Sequence, residues 1–195
     1  AYEIYQCDWS SDVCSSDFER SEAALIRAFL ERIDQLRPHL VTYNGNGFDF
    51  PVLRLRAMLH RLPAPGLTAR PYFKRYTTDA TDLCEALNSF GSGNNRLKLD
   101  EVSRFLGLAG KPDGVDGGKV EEQVAQGRIE DVARYCETDV VNTYRLWLSY
   151  ELFRGSLTLA AYEASEAQLR EFVLTNKIGN AHLMETFGPK QTSSS

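Results

Sequence analysis

The run Leu40 to Tyr43 (LVTY) constrains this chain more than any other stretch. It is short, apolar and partly β-branched, with Pro38 just ahead of it and Asn44-Gly45-Asn46-Gly47 directly behind. It therefore reads as a buried strand that stops in a tight turn. The next residues, FDFPVLRLRAML, are amphipathic and carry Pro51 where a first helical turn would place it, so a helix is expected over Phe50–Leu62. A second strand is expected at Thr77–Leu83. Two strands do not make an independent sheet without neighbours, so the expected sheet is incomplete, with an unprotected edge at Leu40–Tyr43.

The remainder is helical by pattern. Ser21–Leu36 places Leu25, Ile26, Phe29, Leu30 and Ile33 on one face, with Ser21 as N-cap and Arg37-Pro38 as the stop. Pro63–Pro71 (PAPGLTARP) reads as a loop, and Cys84–Phe90 as a short helix. Leu99–Leu108 is a short amphipathic helix closed by Gly107 or Gly110, and Lys111–Lys119 is a loop by composition. A long helix is expected over Glu130–Phe153 and another over Leu157–Leu174, ahead of a disordered GPKQTSSS tail.

At 195 residues and 43% hydrophobic, the chain can form one compact domain with a core. A net charge of −5 argues against binding nucleic acid through overall positive charge, though not against a local basic groove beside an acidic site. The cysteines Cys7, Cys14, Cys84 and Cys136 show no zinc-ligand spacing, and Cys84 and Cys136 read as buried thiols. No apolar run approaches a membrane span and no signal pattern opens the chain, so the expectation is a soluble, cytoplasmic protein with no membrane association.

Two stretches could carry chemistry. In YCETDVV, Tyr135 and Asp139 are four apart and share a helical face beside a stripe of Val132, Cys136, Val140 and Tyr144. On their own they read as an interfacial tyrosine and a solvated helix aspartate. In YNGNGFDFPVL, Asp49 follows the Asn-Gly turns. From Pro51 to Thr78 the cations Arg54, Arg56, Arg61, Arg70, Lys74 and Arg75 occur without an acidic residue, interleaved with Tyr72, Phe73 and Tyr76. That stretch fits a polyanion with stacked bases or a solvated face equally well.

Asn44-x-x-x-Phe48-Asp49, with Pro51 and Leu53, resembles the second motif of the DEDDy 3′–5′ exonucleases, and Tyr135-x-x-x-Asp139 their third. KLDEVSRFLGL resembles the segment between them. GRIEDVARYCETDVVNTYRLWL is similar to the predicted exonuclease family related to the proofreading domain of B-family DNA polymerases. The resemblance spans about Phe18 to Phe172. It implies an α/β, ribonuclease-H-like exonuclease fold and two divalent ions, Mg2+ or Mn2+. It also implies a nucleic-acid substrate, held as a single-stranded 3′ end. By the same resemblance Asp49 and Asp139 are metal ligands, Tyr135 orients the attacking water, and Asn44 and Phe48 shape the pocket for the terminal nucleotide. Arg54, from the basic stretch, is expected as a further substrate contact.

The family also has a first motif, an Asp-x-Glu on the opening strand. The one literal match, Asp17-Phe18-Glu19, follows no apolar strand and opens directly into the Ser21 helix, so it is not read as that motif. The fold is accordingly expected to lack its first strands. The preceding CDWSSDVCSSD has neither a helical nor a strand period and resembles the translation of a common sequencing-library adapter. The alternative is a genuine Ser/Asp-rich arm. The expected division is residues 1–17 as a non-native segment, 18–154 as an exonuclease-like core, 155–188 as a helical extension and 189–195 as a tail. The expected function is a 3′–5′ exonuclease impaired by the missing motif. The rivals are a non-catalytic nucleic-acid-binding module on the same fold and a helical interaction domain in which the motifs are coincidental.

Overall fold

The structure is a computed structural model that describes residues 21–73, 79–88, 96–110, 120–175 and 181–187. It combines helices with a small parallel sheet and divides into two compact units, one holding the described residues up to Leu97 and the other those from Lys98 onward.

In the first unit, helix α1 (Glu22–Leu36) starts at Ser21, whose Oγ accepts the Ala24 N–H at 3.4 Å. It stops because Arg37 turns left-handed (φ 46) ahead of Pro38 and donates its N–H to the Ile33 carbonyl. Of the five residues anticipated on its apolar face, Ile26, Leu30 and Ile33 are buried, whereas Leu25 is half-buried and Phe29 lies 38% exposed on the flank. Strand β1 (Leu40–Thr42) pairs in parallel with β2 (Ala80–Asp82), in the register Leu40 to Ala80 and Thr42 to Asp82. Among the described residues the sheet has these two strands, as expected. Thr77 and Thr78 of the anticipated second strand lie outside them, and Leu83 opens a helix instead.

Helix α2 (Asp49–Leu59) follows the turn after β1. The segment read as a loop contains a one-turn helix, α3 (Pro65–Ala69). Pro65 opens it, and Gly66 permits it to lie on α1: a Cβ there would come within 2.6 Å of the Asp34 Cα. Leu67 and Tyr72 then complete a core with Ile26, Leu30, Ile33 and Ala57. Helix α4 (Leu83–Leu87) is capped by the Asp82 side chain at the end of β2.

In the second unit, α5 (Leu99–Phe105) ends at Gly107, whose positive φ of 71 lets the Leu108 N–H reach back to the Ser103 carbonyl. Helix α6 (Val120–Ala125) was not anticipated; it precedes α7 (Ile129–Phe153) and α8 (Leu159–Thr175), with a 3-10 turn at Ala181–Phe187. Val141, Leu169, Val173 and Leu183 form a core cluster. Arg145 ties three elements together. It donates to Glu166 at 3.0 Å and to the Thr186 carbonyl at 2.6 Å, and its guanidinium lies over the Phe187 ring.

The apolar stripe expected on α7 is corrected. Val140 is 53% exposed and Cys136 is an exposed thiol, while Tyr135, Thr138, Val141, Asn142, Leu146 and Leu148 are the buried residues. The helix is thus rotated so that Tyr135, not Cys136, faces inward. Cys84 is buried as expected, and burial pushes its thiol pKa up. Most of the expected loop at Lys111–Lys119 and the tail lie outside the described residues. No described helix is long and apolar enough to cross a membrane.

Candidate functional site

The turn after β1 is built tightly. Asn44 adopts φ 64, a left-handed conformation that asparagine tolerates better than most residues. Its carbonyl accepts the N–H groups of Gly47 and Phe48, and the Gly45 carbonyl accepts that of Phe50. Gly45 is buried, and a Cβ on it would fall 2.4 Å from Thr42 Oγ1, so this close approach requires glycine.

What holds the turn in place is Asp82, a residue that motif reading did not single out. Its carboxylate is 9% exposed. Oδ1 accepts the Asn44 N–H at 2.8 Å and Oδ2 the Asn46 N–H at 2.9 Å. The same Oδ1 caps α4 by accepting from Cys84 at 3.1 Å and Glu85 at 3.4 Å. Two side chains extend the network. The Asn46 amide donates to Glu85 at 3.0 Å, and Arg96 donates to the Asn44 amide oxygen at 2.9 Å. The available signal was an aspartate directly ahead of the apolar Leu83-Cys84 pair, an N-cap position. Its reach to the turn depends on the strand pairing and is invisible in the sequence.

Phe48, Asp49 and Arg54 follow on the next elements. Phe48 presents its ring to solvent, 63% exposed. Asp49 opens α2 on the surface, yet its carboxyl group is crowded enough that partial desolvation raises its pKa. Its own backbone hydrogen bond opposes that rise and the Asp82 charge adds to it. Arg54 is exposed, with its guanidinium 5.7 Å from the Phe73 ring centroid, and Phe73 meets Phe50 edge-on at 5.4 Å. A shallow cleft here is lined by Asn46, Phe50, Pro51, Arg54, Phe73 and Glu85.

The basic stretch is corrected in part. Arg56 pairs with Glu22, Arg70 with Asp79 and the Arg37 carbonyl, and Tyr72 is fully buried with its hydroxyl on the Pro38 carbonyl at 2.6 Å. These three groups build the fold and are not offered to a ligand. Lys74, Arg75 and Tyr76 lie outside the described residues, as do Asp17 and Glu19.

On α7, Tyr135 is buried and Asp139 half-buried, one turn apart as their spacing required. They belong to the unit from Lys98 onward, whereas Asn44, Phe48, Asp49 and Arg54 belong to the other.

A hard divalent ion held by protein side chains alone needs several oxygen ligands. Among the described residues no group of three or more His, Cys, Asp or Glu side chains could hold one. Asp82, the carboxylate whose charge acts on Asp49, has both oxygens engaged by amide N–H groups. The described donors alone therefore do not fit a divalent-metal centre.

Residues 10–189 match the family of predicted 3′–5′ exonucleases related to the exonuclease domain of PolB. The chain belongs to this family. Its curated relatives include the DNA polymerase epsilon catalytic subunits of Emericella nidulans, 29% identical over 141 residues, and of Aspergillus fumigatus, 28% identical over 141 residues. The corresponding Schizosaccharomyces pombe polypeptide is 29% identical over 144 residues. Each match covers 68% of this chain and 6% of the relative, so this family member spans a small part of those polymerase subunits. No solved structure gives a significant match.

Proposed function

We propose that this chain is a 3′–5′ exonuclease domain of ribonuclease-H-like fold, which acts on phosphodiester bonds at a single-stranded 3′ end. The supporting observation is family membership over residues 10–189, with the second-motif residues on a turn clamped by Asp82 and the third-motif pair on one face of α7. That the relatives are DNA polymerase subunits favours DNA as the strand. Residues 18–154 form the exonuclease core in this reading, and 155–188 a helical extension.

Arg54 apart, the roles are those that the resemblance to the family's motifs implies, and each is compatible with the chemistry of its side chain. Phe48 offers an exposed ring on which the terminal base can stack. Arg54 offers a cation to the backbone phosphate, and Asn44 lies on the fixed turn ahead of Phe48. Tyr135 is held by burial, so its hydroxyl can orient a water without swinging. Asp49 and Asp139 would be the carboxylates that hold divalent ions, which would supply charge neutralisation at the phosphate. The described donors do not complete such a centre, so the reading requires a first Asp-x-Glu motif beyond them. The chain's own match, Asp17-Phe18-Glu19, follows no strand-like run. The 195 residues are therefore impaired as a nuclease.

The test is release of mononucleotides from a 3′-labelled single strand in Mg2+ or Mn2+. Little release is expected from these 195 residues, and restored release when a strand bearing Asp-x-Glu precedes Phe18. In the restored protein Asp139→Asn should abolish turnover, and Tyr135→Phe should only reduce it. Robust digestion by the 195 residues would overturn the impairment and return attention to Asp17 and Glu19. The second reading, a non-catalytic nucleic-acid-binding module, has the opposite outcome in this assay. Strand binding without release, even after restoration, would establish that alternative.

A further inference from the structure

Asp82 is not part of either motif, yet the geometry around it is that of a support for one. A buried carboxylate is expensive to desolvate unless its lone pairs are filled, and here amide N–H groups fill them. Two come from the Asn44–Asn46 turn and two from the start of α4. A cap needs only the α4 pair, and serine or threonine would serve. The aspartate supplies a second oxygen, and that oxygen goes to Asn46.

We propose that Asp82 is a positioning residue for the Asn44–Asp49 segment: its two oxygens clamp the Asn44 and Asn46 amides and so hold Asn44 and Phe48 ready for the terminal nucleotide. This rests on the exonuclease reading above for the identity of the ligand, though not for the clamp itself. Glu85 and Arg96 complete the hold, by fixing the Asn46 and Asn44 side chains respectively. The turn is then preorganised before any strand arrives, which removes an ordering cost from binding.

The test uses the full chain, labelled with 15N and 13C. In the unsubstituted protein, couplings across the hydrogen bonds should connect the Asn44 and Asn46 amide nitrogens to Asp82 Cγ, and their absence would overturn the clamp whatever the variants do. Asp82→Asn keeps the shape but presents an NH2 group to one of the two amides, so solvent exchange at Asn44 and Asn46 should accelerate about tenfold or more. Asp82→Ser keeps the α4 cap while losing both turn contacts. It should show the same fast exchange at the turn with protection in α4 retained, a split that a merely structural cap would not produce.

A fluorescein-labelled single-stranded DNA oligonucleotide, without divalent ions, gives the second arm. Both variants should bind it about tenfold more weakly. Unchanged affinity in variants with a loosened turn would overturn the positioning role. If the unsubstituted chain does not bind the oligonucleotide, the exonuclease reading fails, and the amide couplings and exchange still decide the clamp.

Discussion

Gly45 occupies a place where no side chain fits. Its missing Cβ would press on Thr42, a β-branched residue at the end of β1 whose side chain has few rotamers to escape into. Gly45→Ala should therefore destabilise the chain by about 1–3 kcal/mol, read as a lower urea midpoint with unchanged slope. An unaltered midpoint would mean that the turn yields more easily than its contacts indicate. At this scale the sequence is informative about residue types but not about partners. Asn44, Phe48 and Asp49 were singled out by likeness to the second exonuclease motif, since an Asn-Gly turn before an amphipathic run is by itself ordinary structure. Asp82 was not, because its partners Asn44 and Asn46 are distant in the chain and meet it only through the sheet. Tyr72 misled for the opposite reason: an aromatic beside arginines looks like a stacking platform until burial is known.

Helices α1 and α2 are joined at their rim by Glu22, which accepts from Arg56 of α2 and from His60 just past its end. The Arg56 hydrogen bond foremost, then that of His60, lowers the Glu22 pKa from 4.5 to about 2. A carboxylate whose folded pKa is depressed stabilises the fold above its unfolded value and loses that contribution as pH falls through the folded value. The chain should accordingly weaken between about pH 4.5 and pH 2, and Glu22→Gln should flatten that part of the profile. Urea midpoints at pH 5 and pH 3 check this; equal acid sensitivity in both proteins would remove Glu22 as the cause. The extent should be modest, because the pair faces solvent. Helix existence was legible from periodicity and caps: Ser21, Arg37-Pro38 and Gly107 all mark ends. Helix rotation was not. Along α7 two stripes compete, and the buried one, through Tyr135, Thr138, Val141 and Leu146, mixes apolar residues with polar ones such as Asn142, whose amide NH2 donates to the Ala109 carbonyl. Hydrophobicity alone chose the other.

For the whole molecule, the mixed helix–strand class was legible, and the two strands among the described residues match the two runs of strand character in the sequence. The size of the core was less so. The amphipathic reading of α2 named no core residues, and Leu55, Met58 and Leu59 of that helix are exposed. The division into two compact units was not readable at all, since motif order carries no information about packing.

Arg70 joins the two chain segments that the sheet must bring together. Leu40 and Ala80 are partners in the sheet but forty residues apart, so parallel pairing must close a long loop before any strand bond forms. The Arg70 guanidinium holds the Arg37 carbonyl shortly before β1 and the Asp79 carboxylate immediately before β2, dividing that search into two shorter ones. If these contacts form at the rate-limiting barrier, Arg70→Ala should slow refolding in stopped-flow experiments while leaving the unfolding rate nearly unchanged. Faster unfolding with normal refolding would place the Arg70 contacts after the barrier, as a late fastening of strands already aligned.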